Sequence, residues 1–300
     1  MASNKVALGI SLALGAAVSW GAMGIAAQYL LHYCRFEAID LVSIRLVSAG
    51  ILLLLIYRIL GGTDVMSPFS SRWAFTQVAI AGVTILGSQL TFMLSIKAAD
   101  AALATILFTV IPLMCAGYYC VVDKKFPSPA ICLCFVLASA GVALVVTDGD
   151  FSRLNFSVVG LLWGLCSSAL CAFYSIQPQK VIKKLGVCPV VGWAMIIGGL
   201  VACCFNPPWT LQVDWNLNSI AAFAFIVTIG TVLAFWCYLS SVKYLSAVLV
   251  SLIGCMEPVT AYILSIVFYG KSVGLYELLG ILFVFANVMI ISIQSEEKKN

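Results

Sequence analysis

The hydrophobic pattern of the chain is a succession of long apolar runs separated by short polar segments. Each run is close to the roughly 20 apolar residues that cross about 30 Å of hydrocarbon as a helix. The pattern therefore predicts ten transmembrane helices, called spans 1 to 10, joined by connections too short to hold a soluble domain. The ten runs lie approximately at 6–31, 38–60, 74–96, 100–122, 128–147, 157–178, 188–205, 217–240, 246–269 and 274–293.

Composition supports the same fold class, an all-α polytopic membrane protein surrounded by a lipid bilayer. Hydrophobic residues make up 63% of the chain and charged residues only 9%, whereas soluble domains carry about 25% charged residues. The first run is too long for a cleaved signal peptide, so we expect it to remain attached.

Lysine and arginine are distributed unevenly between the two sides, and short loops rich in these residues stay in the cytoplasm. With the N-terminus inside, the inner segments hold Lys5, Arg58, Arg72, Lys124, Lys125, Lys180, Lys183, Lys184, Lys243, Lys298 and Lys299. The outer segments hold only Arg35, Lys97, Arg153 and Lys271. Both termini are therefore predicted to be cytoplasmic. Because topology explains the net charge of +4, no nucleic-acid partner is expected.

An internal repeat appears when the chain is shifted along itself by about 146 residues. The aligned positions include Ser95 with Ser241, Lys97 with Lys243, Pro112 with Pro258 and Val121 with Val267. We divide the chain into repeats at 1–150 and 151–300. Because each repeat has an odd number of spans, five, the second enters the membrane from the opposite side. Inverted-topology repeats around a central cavity are typical of secondary transporters.

Five segments carry a resemblance to a known family. They are "GAAVSWGAMGIAAQYL", "SIRLVSAGILLLL", "AALATILFTVIPLMCAGYYCV", "SAVLVSLIGCMEPVTAYILSIVF" and "ELLGILFVFANVMIIS". Together they resemble the EamA family of the drug/metabolite transporter superfamily, over nearly the whole chain. The segment "LLWGLCSSALCAFYSIQPQKVIKKLGVCPVVGWAMIIGGL" is similar to a bacterial branch of inner-membrane transporters.

The resemblance implies a multi-pass protein of the bacterial cytoplasmic membrane. It also implies a cavity formed mainly by spans 1, 3, 4, 6, 8 and 9, and outward movement of small metabolites, often amino acids or their derivatives. Many relatives carry a glutamate after spans 4 and 9, where this chain has Asp123 and Gly270. Those two positions are therefore given no role.

The candidate substrate-binding residues are polar or aromatic side chains inside predicted spans. They are Trp20, Gln28, Gln89, Thr105, Tyr174, Trp236 and Glu257. Gln89 is the sharpest neutral candidate, because an amide in mid-membrane has four hydrogen-bonding valences to satisfy and should face the interior. Helix packing is the alternative for span 1, where Ser19, Gly21 and Gly24 allow close approach. Threonines more often satisfy their own backbone.

Glu257 lies eleven residues into the run 246–269, close to the middle of the membrane. A central acidic residue costs about 2.5 to 3.5 kcal/mol on insertion scales. Its repeat mate is Ile111, so the fold itself does not require a carboxylate there. We interpret Glu257 as a site for a proton or a substrate amine, with a protonated or backbone-bonded brace for the proline kink as the alternative.

Pro112 and Pro258 occupy equivalent places in spans 4 and 9. Each removes a backbone N–H and frees a carbonyl about one turn earlier, around Phe108 and Gly254. Such weak points suit hinges for rocking between inward and outward states, while static kinks remain the alternative.

Other side chains limit the chemistry. Arg45 is shallow enough in span 2 to snorkel, so we interpret it as a structural anchor. With almost no other cation in mid-membrane, the interior favours a neutral, zwitterionic or cationic substrate over a phosphate ester. The twelve cysteines form no paired metal-ligand motif and are interpreted as packing residues. No catalytic constellation is present, so no enzyme activity, metal or cofactor is expected.

These patterns together predict a transporter that exports amino acids or related zwitterionic or cationic compounds by alternating access. Protons are a candidate coupling ion, and monomer and homodimer both remain open. Another small-solute carrier, a channel and a membrane scaffold that transports nothing are the alternatives.

The predicted topology can be tested with single-cysteine variants and an impermeant thiol reagent. We expect both termini and the 178–188 loop to react only from the cytoplasmic side, and the 206–216 loop only from outside, because positive charge is retained inside. The opposite labelling pattern would overturn the inverted-repeat arrangement.

Overall fold

The computed structural model describes residues 2–98, 101–124, 126–153, 157–207, 213–269 and 274–297, and within them it contains helices and no strand. The α-helices are α1 (Ala2–Tyr33), α2 (Ala38–Ile59), α3 (Arg72–Ala98), α4 (Ala101–Phe108), α5 (Ile111–Asp123), α6 (Pro129–Thr147), α7 (Val158–Ile176), α8 (Gln179–Leu185), α9 (Val187–Phe205), α10 (Leu217–Val227), α11 (Ala234–Ser241), α12 (Ala247–Gly254), α13 (Met256–Tyr269) and α14 (Leu275–Glu297).

The ten predicted spans are present. Eight segments are long and apolar enough to cross a bilayer, and two shorter apolar helices, Ile106–Val122 and Leu275–Ile291, complete the set. The prediction of an all-α polytopic membrane protein is therefore confirmed. Three spans are not simple α-helices: span 4 is divided into α4 and α5, span 9 into α12 and α13, and span 8 contains a π-helical segment, Thr228–Leu233.

The segment predicted as the 178–188 loop contains a short helix, α8. Pro178 precedes it and Gly186 ends it with φ of 89°, a left-handed conformation that glycine adopts without steric cost. The basic side chains on α8 include Lys184, whose ammonium lies 5.4 Å from the centroid of the Trp73 ring. A cation over an aromatic face is attracted by the ring quadrupole, so α8 is fastened to the start of α3.

The contacts between spans follow the predicted repeat. If each span of the first five is exchanged with its counterpart five places later, the same set of packed pairs results. Span 2 packs on span 7 through α2 and α9, and span 5 packs on span 10 through α6 and α14. Span 3 packs on span 6 through α3 and α7, and the exchanged pair, spans 8 and 1, packs through α11 and α1. Two five-span repeats would generate this pairing; the division at 150/151 itself remains a prediction.

Glycines allow span 2 to approach span 7 closely, and span 5 to approach span 10. A Cβ added to Gly50 on α2 would lie 2.6 Å from the carbonyl oxygen of Gly192 on α9. A Cβ added to Gly141 on α6 would lie 2.7 Å from the carbonyl oxygen of Gly280 on α14. Helices in lipid gain little from the hydrophobic effect when they associate, so van der Waals packing stabilises their contacts. Small residues at the crossings increase that packing because they let the backbones touch.

The crossing of α6 and α14 gives a stability prediction. We expect Gly141→Ala to lower the free energy of unfolding by about 1 to 3 kcal/mol, because the added methyl meets backbone that must move. Gly117→Ala is the matched control, since no atom lies within 4 Å of its added Cβ. Thermal unfolding in detergent measures both variants, and equal melting temperatures would contradict the close crossing.

Candidate functional site

Span 9 is interrupted where the sequence places Glu257. Helix α12 ends at Gly254, α13 begins at Met256, and Glu257 lies in the first turn of α13. Pro258 follows and cannot donate a backbone hydrogen bond to the previous turn. The equivalent interruption separates α4 from α5, which has Pro112 in its first turn. The predicted weak points are confirmed, because Phe108 and Gly254 are the last residues of α4 and α12.

Side chains from neighbouring spans satisfy carbonyl groups at both interruptions. Asn287 on α14 donates to the carbonyl oxygen of Leu252 at 3.0 Å, and Ser168 on α7 donates to that of Leu107 at 2.9 Å. Backbone groups freed within a membrane are tolerated only where protein or a wet cavity receives them. The two interruptions are therefore held in place by buried donors.

A cavity lies between the two interrupted spans. The empty space within its walls and at its opening is about 800 Å³. Its walls come from the six spans that the family resemblance implied, with Val142 on span 5 in addition. The lining residues are Trp20, Met23, Gln89, Phe92, Met93, Phe108, Thr109, Ile111, Val142, Cys171, Tyr174, Tyr238, Ser251, Gly254, Cys255, Glu257 and Pro258.

Glu257 is the acidic residue of this wall. Among the described residues, its carboxylate makes no hydrogen bond and no ion pair. The alternative of a backbone-bonded brace therefore finds no such bond in this structure. The N-terminal turn of α13 carries a partial positive charge that favours an anion. Helix α1 also packs closely here, because a Cβ on Gly21 would lie 2.6 Å from the Glu257 carbonyl oxygen. Gly24, by contrast, faces open space.

Aromatic rings form the wall beside α1. The Trp20 ring lies 5.1 Å from Tyr238 and 5.4 Å from Phe235, measured between centroids. The Tyr238 hydroxyl is 2.8 Å from the Ser175 hydroxyl, which fixes the ring against α7. Tyr174 completes the cluster, 6.2 Å from Tyr238. This wall presents apolar ring faces, and its polar groups are the indole N–H of Trp20 and the hydroxyls of Tyr174 and Tyr238.

Gln89 lines the cavity from α3, and its side chain contacts Arg45 on α2. Nη2 of Arg45 donates to Oε1 of Gln89 at 2.5 Å, and its Nη1 lies 3.3 Å from Sδ of Met23. Arg45 is 1% exposed. The expectation that its side chain snorkels is therefore wrong, because the guanidinium is buried and donates to Met23 on α1 and Gln89 on α3.

The structure brings together Trp20, Gln89, Tyr174 and Glu257, with the hinge candidate Pro258 beside them. Trp236 was expected in the cavity wall, but its side chain is 38% exposed and does not line the cavity. The inward positions of α11 are those of Phe235 and Tyr238, spaced as one helical face, and Tyr238 contributes the aromatic ring instead.

The remaining three candidates are Gln28, Thr105 and Pro112. The side chains of Gln28 and Thr105 lie outside the described residues. Pro112 is buried in α5 beside Ile111, and only Ile111 reaches the cavity.

Several lining residues were not predicted, among them Phe92, Cys171 and Ser251. Phe92 lies one turn from Gln89 and stacks on Phe108 with centroids 4.6 Å apart. Residues three positions apart share a helical face. This spacing would have identified Phe92 from Gln89, and Cys171 from Tyr174. Ser251 has no such signal, because its hydroxyl bonds the Val248 carbonyl as many buried helix serines do.

The fold is that of a polytopic membrane protein, with a cavity between its two interrupted spans as the candidate site. A profile of the EamA-like transporter family matches residues 7–147 and 158–293. The chain therefore belongs to the EamA-like transporter family.

Named relatives and a solved structure agree with this assignment. The chain is 32% identical to the inner membrane transporter YicL of Salmonella typhimurium, across 94% of both chains. It is 24% identical to the transporter YwfM of Bacillus subtilis, across 76% of this chain and 77% of that one. A crystal structure with 13% identity superposes with a TM-score of 0.82 over 97% of this chain and 99% of the other, which shows the shared fold.

The cavity assignment generates a test on two of its walls. We expect Trp20→Ala and Gln89→Leu to lower transport several-fold while reducing expression much less, because both side chains line the cavity. Trp236→Ala is the matched control for the tryptophan, since that ring lies outside the cavity. Flux normalised to folded protein measures the effect, and an equal fall in flux and expression would indicate a packing role.

Proposed function

We propose that this protein exports a small zwitterionic or cationic metabolite, with amino acids and related compounds as the favoured class, by alternating access. The observation that carries the proposal is the Glu257 carboxylate, which lines the cavity at the interruption of span 9 and has no hydrogen-bond or ion-pair partner among the described residues. Membership of a transporter family supports the transport role. The substrate class, the outward direction and cytoplasmic termini are part of the proposal.

The chemistry of the site supports an amine or a proton at Glu257. A carboxylate without a counter-ion is costly in a low-dielectric interior. A bound ammonium group or a proton removes that cost, so either species has a reason to bind here. The aromatic faces of Trp20 and Tyr174 favour a cation as well, because the face of an aromatic ring is electronegative. Protons are accordingly the proposed coupling ion.

The interrupted spans support alternating access. Helices α4 and α5 meet beside Phe108, α12 and α13 meet at Cys255, and both junctions border the cavity. A junction between two short helices can change angle with less loss of hydrogen bonding than a continuous helix, so Pro112 and Pro258 are proposed as hinges. Transport then proceeds by rocking around the fixed position of Glu257.

A channel and a scaffold are the alternative functions, and native cysteines can separate them from a carrier. Cys171 and Cys255 line the cavity. In a carrier, an impermeant thiol reagent reaches them from one side at a time, and substrate shifts the balance between the sides. Simultaneous access from both sides indicates a channel, and no access from either side indicates a scaffold.

The decisive variant is Glu257→Gln, which keeps size and hydrogen bonding but removes the charge. We expect a folded protein whose flux falls at least tenfold or loses its pH dependence, because a charged hydrogen bond contributes about 1.5 to 3 kcal/mol. Untargeted metabolite measurement in the medium of cells expressing each form identifies the solute. Glu37→Gln is the control, because this exposed carboxylate immediately precedes α2 and lies outside the cavity.

A different outcome is expected of the Glu257 variants if the carboxyl group has only a structural role. If Glu257 is a protonated brace, the Gln variant transports normally from pH 6 to 8 and Glu257→Leu loses stability instead, because leucine cannot hydrogen-bond. That combination would overturn the proposed role of the carboxylate.

A further inference from the structure

Arg45 is a buried cation without an anionic partner. Its guanidinium is enclosed by α1, α2 and α3, and its Nε atom has no hydrogen-bond partner. In the described part of the chain, no carboxylate lies within 4.0 Å of it, since the ion pair found there joins Arg35 and Asp214. Burying an unpaired charge is expensive. A structural brace between helices would not require a positive charge in this position.

The guanidinium fixes the orientation of the Gln89 amide. Arginine has five N–H donors and no acceptor, so the amide oxygen must face Arg45. The two N–H donors of Gln89 then point away from Arg45, and they have no partner among the described residues. Because Gln89 lines the cavity, these donors are available to a ligand. The positive charge behind the amide strengthens them by polarising it.

The cavity is therefore lined by two unlike polar groups on different helices. On one wall, Gln89 offers donors backed by the charge of Arg45; on the wall formed by α13, Glu257 offers a carboxylate. Neither charge has an oppositely charged protein partner in the described residues. A ligand with an acidic and an amino group compensates both charges at once, whereas a simple amine compensates only Glu257.

Resting on the proposed function, we infer that the Arg45–Gln89 pair is the carboxylate-recognition element of the site and makes it selective for zwitterions. Gln89 donates to the substrate carboxylate, Arg45 positions and polarises Gln89, and Glu257 receives the substrate ammonium. Met23 holds the guanidinium from the other side through its sulfur atom, 3.3 Å from Nη1. The rings of Trp20 and Phe92 also line the cavity, and they would contact the side chain of the substrate.

The test compares each of the twenty amino acids with its primary amide, which keeps the side chain and amine but lacks the carboxylate. Binding is measured on purified protein in lipid nanodiscs by calorimetry. For at least one apolar amino acid, we expect the wild type to bind the acid about tenfold or more tightly than the amide. In Arg45→Met, this preference should disappear while amide binding persists. Arg58→Met, at an exposed arginine of the same helix, should keep it.

Gln89→Glu provides a second variant that does not depend on tolerance of Arg45→Met. Its carboxylate can pair with Arg45, so we expect a folded protein in which the positive charge is neutralised, the amide donors are gone and the acid preference is lost. Equal wild-type binding of acids and amides, a preference that survives in either variant, or no binding of any amino acid would each overturn the inference. Export of another solute that still depends on Glu257 would then leave the proposed function standing.

Discussion

The arrangement of this protein depends on one constraint: every backbone N–H and C=O within the membrane needs a partner inside the protein. Continuous helices meet this requirement by themselves, but spans 4 and 9 do not, because Pro112 and Pro258 follow the ends of α4 and α12. Their freed carbonyl region is served by Ser168 and Asn287 on neighbouring spans. Both interruptions must therefore lie in the interior, and the space between them becomes the cavity.

The same interior position allows two charged residues to exist far from bulk water. Glu257 gains from the N-terminal dipole of α13, and Arg45 donates hydrogen bonds to Gln89 and Met23. Neither gain equals a full counter-ion, since Coulomb interactions are strong where the dielectric constant is low. Among the described residues, neither Glu257 nor Arg45 has an oppositely charged partner. A charged ligand has correspondingly more to contribute there than on a solvated surface.

The type of contact between neighbouring spans differs from pair to pair. Spans 2 and 7, and spans 5 and 10, meet through glycines at distances that exclude any side chain, as at Gly50 with Gly192. Around the cavity, spans 1 and 8 meet through large aromatic rings, as at Trp20 and Tyr238, whereas spans 1 and 9 meet at Gly21. The π-helical segment of span 8 links the two regions, because Gly230 abuts Met23, the sulfur partner of Arg45. Backbone contacts resist sliding, whereas aromatic contacts between side chains can adjust.

The amino-acid sequence by itself determined the number of spans, the positions of both interruptions and the grouping of Trp20, Gln89, Tyr174 and Glu257. Apolar run length, proline chemistry and the cost of polar groups in lipid are local properties that a sequence displays directly. Tertiary structure alone decided the direction of each side chain: Arg45 turned inward, and Tyr238 replaced Trp236 in the cavity wall. These outcomes depend on helix rotation and on partners such as Met23, 22 residues away along the chain, which no local pattern encodes.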